Sequence, residues 1–234
     1  MMRRWRVVLG MVAAVGAVQR LFAAEPTPET VSLFDGKTLD GWDGDRTIWS
    51  VRDGAITGQT TAETRLKENS FLIWKEEVED FELSLKFRLE GGNSGIYYRV
   101  RKRPAGETKG DPLVGTQADF DASGPWTGVI MEYLLRDVLA ERGQKVTIDE
   151  NGKKQVVGSL GDPAELLKAV KAREWNDYTV TAKGGHVVLK INGVTMCELD
   201  DRDPRRIPRG WLALQVHVGS PMRVQFKGIF FRKL

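Results

Sequence analysis

The sequence predicts an all-β domain, an antiparallel two-sheet sandwich carrying one short helix. Three observations support this. Phe81, Leu83, Leu85, Phe87 and Leu89 alternate with Glu82, Ser84, Lys86, Arg88 and Glu90, the period of two that sends one set of side chains to a core and the other to water. Candidate strands are joined by turns instead of helix-length connections, which favours antiparallel pairing over a parallel α/β sheet. The last quarter repeats the pattern as a meander, with Gly184-Gly185 and Asn192-Gly193 as tight turns between three alternating runs.

Residues 1–24 stand apart from that fold. Arg3, Arg4 and Arg6 precede an apolar run over residues 7–18, and Ala23 and Ala24 close the segment, the layout of a cleaved export signal. The run is shorter than the roughly 20 residues needed to span a bilayer, and no later segment reads as a membrane span. An exported protein, periplasmic or extracellular, is therefore expected. Removing this segment takes away four arginines and no acid, so the formal charge moves from +3 to about −1. No basic patch interleaved with aromatics remains to suggest a nucleic-acid partner. Cys197 is the single cysteine; it permits no intrachain disulfide and no sulfur-rich metal site, and reads as an inert core residue.

Residues 25–30, with Pro26 and Pro28, read as an exposed lead-in, and one domain is expected over residues 31–234. Asp53-Gly54 joins strands over residues 49–51 and 55–57 in a hairpin. Trp49 and Trp74 read as buried structural residues. After the strand over residues 81–89, Gly91, Gly92 and Gly95 allow a reversal into a strand over residues 96–100. This predicts a hairpin with Asn93, Tyr97 and Arg99 on one polar face. Residues 101–111 read as a charged surface loop.

In the strand over residues 113–120, Val114, Thr116, Ala118 and Phe120 share one face while Gln117 and Asp119 share the other. Over residues 129–135, Glu132 falls on a face with Ile130 and Leu134 and interrupts its apolar pattern. A carboxylate there must reach water, a hydrogen-bonding partner or a cation. Asp162 and Pro163 start a helix expected to continue to Val170. Over residues 211–218, Leu212, Leu214, Val216 and Val218 face the core and leave Trp211, Ala213, Gln215 and His217 outside. The closing strand points Met222, Val224 and Phe226 inward and bends at Gly228.

His217 is the first candidate for chemistry, because an imidazole exchanges protons near neutral pH and shares its face with Gln215 and Trp211. Directional polar groups beside an aromatic platform suit a sugar, whose hydroxyls need hydrogen bonds and whose C–H face packs on apolar surface. An ordinary surface strand would carry the same residues. Asp119, Glu132 and His217 could ligate a divalent cation if the strands bring them together, and Glu132 with Asp119 could form the acid/base pair of a glycosidase. No other cofactor is indicated. Arg99 and Arg136 could orient an oxygen-rich ligand or simply close salt bridges. His186, beside Gly184-Gly185, belongs to a turn.

Longer stretches carry a resemblance. Val31-Ser32-Leu33-Phe34-Asp35-Gly36-Lys37 with Leu39-Asp40-Gly41-Trp42 resembles the opening of the 3-keto-disaccharide hydrolase family. Asp80-Phe81-Glu82-Leu83, Gly91-Gly92-Asn93-Ser94-Gly95-Ile96, Glu174-Trp175-Asn176-Asp177-Tyr178, Ile191-Asn192-Gly193 and residues 210–217 resemble its later landmarks. The resemblance covers nearly all of residues 31–234. It implies a concanavalin-like lectin/glucanase sandwich (a jelly roll), an oligosaccharide or oxidised glycoside as substrate, and Asn93, Gln117, Glu132 and His217 as site residues. The sequence departs from the family at Gln117-Ala118-Asp119, where many members place an acid before the glutamine.

The implied chemistry starts from a carbonyl at sugar C3, which acidifies the C2 proton and leaves the C1 oxygen β to the carbonyl. Proton removal at C2, departure at C1 and addition of water amount to net hydrolysis. His217 is then the expected base and Glu132 the expected acid or cation ligand, with Asn93, Gln117 and Arg99 positioning oxygens. Direct attack of water at C1 and a noncatalytic sugar-binding module are the competing readings.

Overall fold

The computed structural model describes residues 29–103 and 111–234. The expected signal segment, most of the lead-in and the middle of the loop expected over residues 101–111 lie outside the described residues. The chain forms β1 (Thr30–Ser32), β2 (Trp42–Asp43), β3 (Trp49–Arg52), β4 (Ala55–Gln59), β5 (Ser70–Val78) and β6 (Phe81–Glu90). Next come β7 (Asn93–Lys102), β8 (Leu113–Asp121), β9 (Ile130–Glu132), β10 (Asp137–Ala140), β11 (Gln144–Ile148) and β12 (Lys154–Ser159). Helix α1 (Pro163–Leu167) precedes β13 (Asn176–Lys183), β14 (His186–Ile191), β15 (Val194–Asp201), β16 (Gly210–Val216) and β17 (Arg223–Lys233).

These strands build two sheets. The larger has ten strands in the order β12-β11-β15-β14-β13-β6-β17-β4-β3, with β1 added on β17; the smaller has seven, in the order β10-β9-β8-β7-β16-β5-β2. Alternation decides what lies between them. Phe81, Leu83, Leu85, Phe87 and Leu89 of β6 are buried against Ile96, Ala118, Phe120, Leu212, Leu214 and Val216 of the smaller sheet. Phe87 and Phe120 meet across the gap with ring centroids 4.3 Å apart. Each such side chain contributes about 1.5–3 kcal/mol on burial, so the interface between sheets is the main source of cohesion. The opposite face of the smaller sheet is thereby left to carry the polar residues of β7, β8 and β16.

The meander β13-β14-β15 forms as expected, as does the Asp53-Gly54 hairpin between β3 and β4. β17 bends at Gly228, where its pairing with β6 slips between Lys227 and Phe230. Cys197 is fully buried, and burial pushes its thiol pKa up.

Three expectations need correction. β6 and β7 do not form a hairpin: β6 pairs with β13 and β17, whereas β7 pairs with β8 and β16. Gly91 and Gly92, both at positive φ (72° and 68°), form an arch from one sheet to the other. Alternation identifies the buried face of a strand but carries no information about its bonded neighbour. The pairing is also not wholly antiparallel, because β11 lies parallel to β15. Helix α1 has the expected Asp162 cap, which accepts from the Ala164 and Glu165 N–H groups at 2.9 and 3.0 Å, but it ends at Leu167 instead of Val170.

Candidate functional site

The outer face of the smaller sheet holds a cleft of about 560 Å³. Its floor follows from strand alternation. Asn93 and Tyr97 come from β7, Gln117 and Asp119 from β8, Gln215 from β16, and His217 stands just beyond β16. Antiparallel pairing sets Tyr97 opposite Gln117 and also opposite Ala213, so the three strands present their polar residues side by side. One wall carries Asn69 and Asp111, the other Trp126, Met131 and Tyr133.

The polar residues are wired together. Gln117 Nε2 donates to Gln215 Oε1 at 3.2 Å, Gln215 Nε2 donates to the Tyr97 hydroxyl at 3.2 Å, and that hydroxyl donates to Asp111 Oδ2 at 3.4 Å. Asn69 Nδ2 donates to the other Asp111 oxygen at 2.7 Å, while Asn69 Oδ1 accepts the Val218 N–H at 2.6 Å. Asn69 therefore fixes both the carboxyl and the backbone next to His217. Gly95 makes the floor possible, because a Cβ there would lie 2.3 Å from Gln117 Nε2. Only glycine lets the Gln117 side chain lie across β7 toward Gln215.

Asp119 is 3% exposed and receives one side-chain hydrogen bond, from Asn93 Nδ2 at 2.9 Å. Burial, only partly offset by that amide, pushes its pKa up to about 8. A carboxyl with neutral partners is cheaper to bury protonated than charged. Asp111 is also shifted upward by burial, against the opposing pull of Asn69 and His217. Burial and the Asp111 charge raise the pKa of Tyr97, which keeps its phenol a donor.

His217 Nδ1 meets the carbonyl oxygen of Val218. A carbonyl can only accept, so Nδ1 carries a proton, and it is Nε2 that holds the lone pair whenever the ring is neutral. The cleft thus combines a carboxyl protonated at neutral pH, an imidazole with its base nitrogen defined, and a row of amides.

Four residues expected at the site lie elsewhere. Glu132 faces inward with Ile130, 1% exposed. It accepts from Thr116 Oγ1 at 3.0 Å and from Arg136 Nε and Nη2 at 2.7 and 2.9 Å. Arg136 also pairs with Asp201 at 2.7 Å and Asp203 at 3.5 Å. Glu132 and Arg136 therefore belong to an ionic network between the sheets, not to the cleft. Arg99 has φ +53° where the β7–β8 register slips between Tyr98 and Arg101. That bulge turns its guanidinium away, to the Glu79 and Gly184 carbonyls and Asp80. Trp211 packs on a separate apolar cluster with Phe71, Tyr97, Val100, Leu113 and Ala213 and does not line the cleft.

The trio Asp119, Glu132 and His217 expected as cation ligands is thereby split. Among the described residues no group of three or more His, Cys, Asp or Glu side chains gathers as a cation cage. His186 opens β14 and faces Glu198 at 3.1 Å.

The sequence reading missed Asp111, Asn69, Trp126 and Tyr133. Asp111 shares the odd-numbered parity of Gln117 and Asp119, a usable signal had the loop been extended into β8. Asn69 is brought to Asp111 across 42 positions of chain, and no local pattern announces that.

The family described as a 3-keto-alpha-glucoside-1,2-lyase-like domain matches residues 29–232. The chain belongs to this family.

A curated protein named 3-keto-disaccharide hydrolase, from Bacteroides thetaiotaomicron, is 29% identical over 178 residues, 72% of this chain and 57% of the relative. The chain therefore spans a little over half of that relative's length. Two crystal structures of Parabacteroides distasonis proteins described as candidate glycosyl hydrolases superpose with TM-scores of 0.57 and 0.58, at 21% and 22% identity. Each covers 88% of this chain, and 100% and 94% of the respective relative. The carbohydrate-binding module CBM66 of Bacillus subtilis superposes with a TM-score of 0.52 at 15% identity, covering 82% of this chain and 96% of its own. These likenesses establish the concanavalin-like jelly-roll sandwich. Among the described residues no helix is long and apolar enough to cross a membrane.

Proposed function

We propose that this member of the family cleaves the glycosidic bond of a 3-keto-glucoside or 3-keto-disaccharide in the outer cleft, by elimination followed by hydration. The observation that carries the reading is the pairing in one cleft of Asp119, whose carboxyl pKa burial pushes up to about 8, with His217, whose Nδ1 is engaged by a carbonyl so that Nε2 is the nitrogen free to act as a base. A β-elimination needs both at once, a base for C2–H and an acid for the departing oxygen.

In this scheme His217 Nε2 takes the C2 proton, the electron pair becomes the C1–C2 double bond, and the C1–O bond breaks. Asp119 gives its proton to the leaving oxygen. Water then adds across the double bond: its hydroxyl goes to C1, its proton goes to the Asp119 carboxylate, and the proton on His217, exchangeable with solvent, returns to C2, which restores a 3-keto sugar and both groups with one water consumed. The amides of Asn93, Gln117 and Gln215 and the phenol of Tyr97 supply directional partners for sugar hydroxyls and the C3 oxygen. Asp119, and not the inward-facing Glu132, takes the acid role in this scheme.

The decisive experiment is to incubate the purified protein with a 3-keto-glucoside in deuterated water. The expected result is cleavage with one deuterium at C2 of the released 3-keto sugar. Cleavage without that deuterium would point to direct attack at C1 instead. Binding of oxidised and unoxidised disaccharides with cleavage of neither would make the protein a noncatalytic sugar-binding module.

A further inference from the structure

Trp126 and Tyr133 stand on the cleft wall although 44% and 45% of their surface remains open to water. Neither sits on a strand. Trp126 belongs to the connection between β8 and β9, and Tyr133 to the turn after β9. A single half-bare ring on a connection is ordinary, but here two share one cleft, and their connections are not loose. Both connections are instead fixed by buried charged or polar groups.

The Trp126 connection is held from two sides. Asp121 Oδ1 accepts the Trp126 N–H at 2.9 Å, its Oδ2 accepts the Gly124 N–H at 3.1 Å, and the Thr127 hydroxyl donates to the Asp121 carbonyl at 3.1 Å. From below, Arg142, 9% exposed, donates to the carbonyl oxygens of Gly124 and Thr127. The Tyr133 turn is closed by Leu135 N–H donating to the Glu132 carbonyl at 3.0 Å and by the Glu132–Arg136 ion pair at 2.7 Å. Arg136 makes a second ion pair, with Asp201 of the other sheet, and so ties the turn across the sandwich.

We propose that Trp126 and Tyr133, carried on these fixed connections, form a subsite for the leaving group of the glycoside, specific for a ring that offers an apolar face. The inference rests on the elimination reading for the identity of the ligand. The amides on the floor satisfy the hydroxyls of the sugar being cleaved, whereas the wall offers flat apolar surface with little hydrogen bonding, which matches the C–H face of a second pyranose or the face of an aryl group. Because the backbone of both connections is held in place before binding, only side-chain freedom remains to be lost when the ligand docks.

The test compares three 3-keto-glucosides of one anomeric configuration, with methyl, glucosyl and phenyl leaving groups. Differences in intrinsic leaving-group reactivity cancel when each variant is scored against the natural protein on the same substrate. Trp126→Ala and Tyr133→Ala are expected to lose at least tenfold more kcat/KM on ring-bearing substrates than on the methyl glycoside, mostly through KM. Trp126→Phe should recover much of that loss. Loss on the glucosyl arm alone, the phenyl arm alone or both would support the subsite and identify its ring. Equal losses on all three substrates, or none, would overturn it. If no 3-keto-glucoside is cleaved, the elimination reading fails separately. Calorimetric titration with cellobiose against methyl glucoside as probes then decides the subsite alone: it stands if Trp126→Ala and Tyr133→Ala weaken the disaccharide selectively and falls if both probes respond equally.

Discussion

Two regions of this molecule bury carboxyl groups, and they do so with opposite partners. Between the sheets, Glu132, Asp201 and Asp203 surround Arg136, with a second guanidinium from Arg205 on Asp203. In the outer cleft, Asp111 and Asp119 are equally hidden, at 5% and 3% exposure, but their side-chain hydrogen bonds come from Asn69, Tyr97 and Asn93. Arg205 holds the Asp203 carboxyl down at about 2, whereas desolvation pushes Asp119 up to about 8. Burial alone therefore does not mark a reactive acid. A guanidinium partner makes the group structural, and amide partners leave it able to exchange a proton near neutral pH.

Replacing Asp119 tests the cleft half of this contrast most severely. Asp119→Asn keeps shape and polarity but has no proton to give, so turnover should fall by about 10²–10⁴-fold. In the natural protein the activity that depends on protonated Asp119 should decline as pH rises through about 8. Stability should move the other way in the variant. The folded pKa lies above the unfolded one, so the unfolded chain releases its proton first and native stability falls between roughly pH 4 and pH 8. Asparagine escapes that fall, so the variant should be more stable by a few kcal/mol at pH 8 and gain little near pH 4. Denaturant midpoints across that range check it; a stability difference that ignores pH would remove the basis for the acid role.

The inter-sheet network answers to a different measurement. Arg136→Met leaves Glu132 and Asp201 buried without their shared cation, and loss of one partner from a buried network costs about 3–5 kcal/mol. Chemical denaturation should show a lowered midpoint with an unchanged slope. A loss below about 1 kcal/mol would mean that water already reaches these carboxylates, and the contrast with the cleft would weaken.

Much of this arrangement can be read from alternation. A period of two set Gln215 and His217 opposite Leu214 and Val216, and Gln117 and Asp119 opposite Ala118 and Phe120, which is how the sheet places them. The reading failed where the backbone departs from that period or where chain-distant groups meet. A bulge reverses Arg99. Glu132 was correctly paired with Ile130, yet family likeness drew it into the site although its own face pointed to the core. Asn69 and Asp111 meet only through folding. The Gly91-Gly92 arch shows the same limit for topology, since a turn sequence does not specify whether the next strand stays in its sheet.

The smallest effect, at Gly95, sharpens the cleft half most finely. A Cβ at this position would come within 2.3 Å of Gln117 Nε2, 2.7 Å of Cγ and 2.8 Å of Cδ. The terminal amide can swing aside, so Gly95→Ala should cost only about 1 kcal/mol of stability. It should nevertheless break the Gln117 to Gln215 hydrogen bond and interrupt the amide row at its start. KM should rise several-fold, by about as much as in Gln117→Ala, because both substitutions remove the same positioned amide. The double variant should then be no worse than either single one, since two routes to one lost contact do not add. Fully additive losses would show that Gly95 serves the cleft by some means other than making room for Gln117.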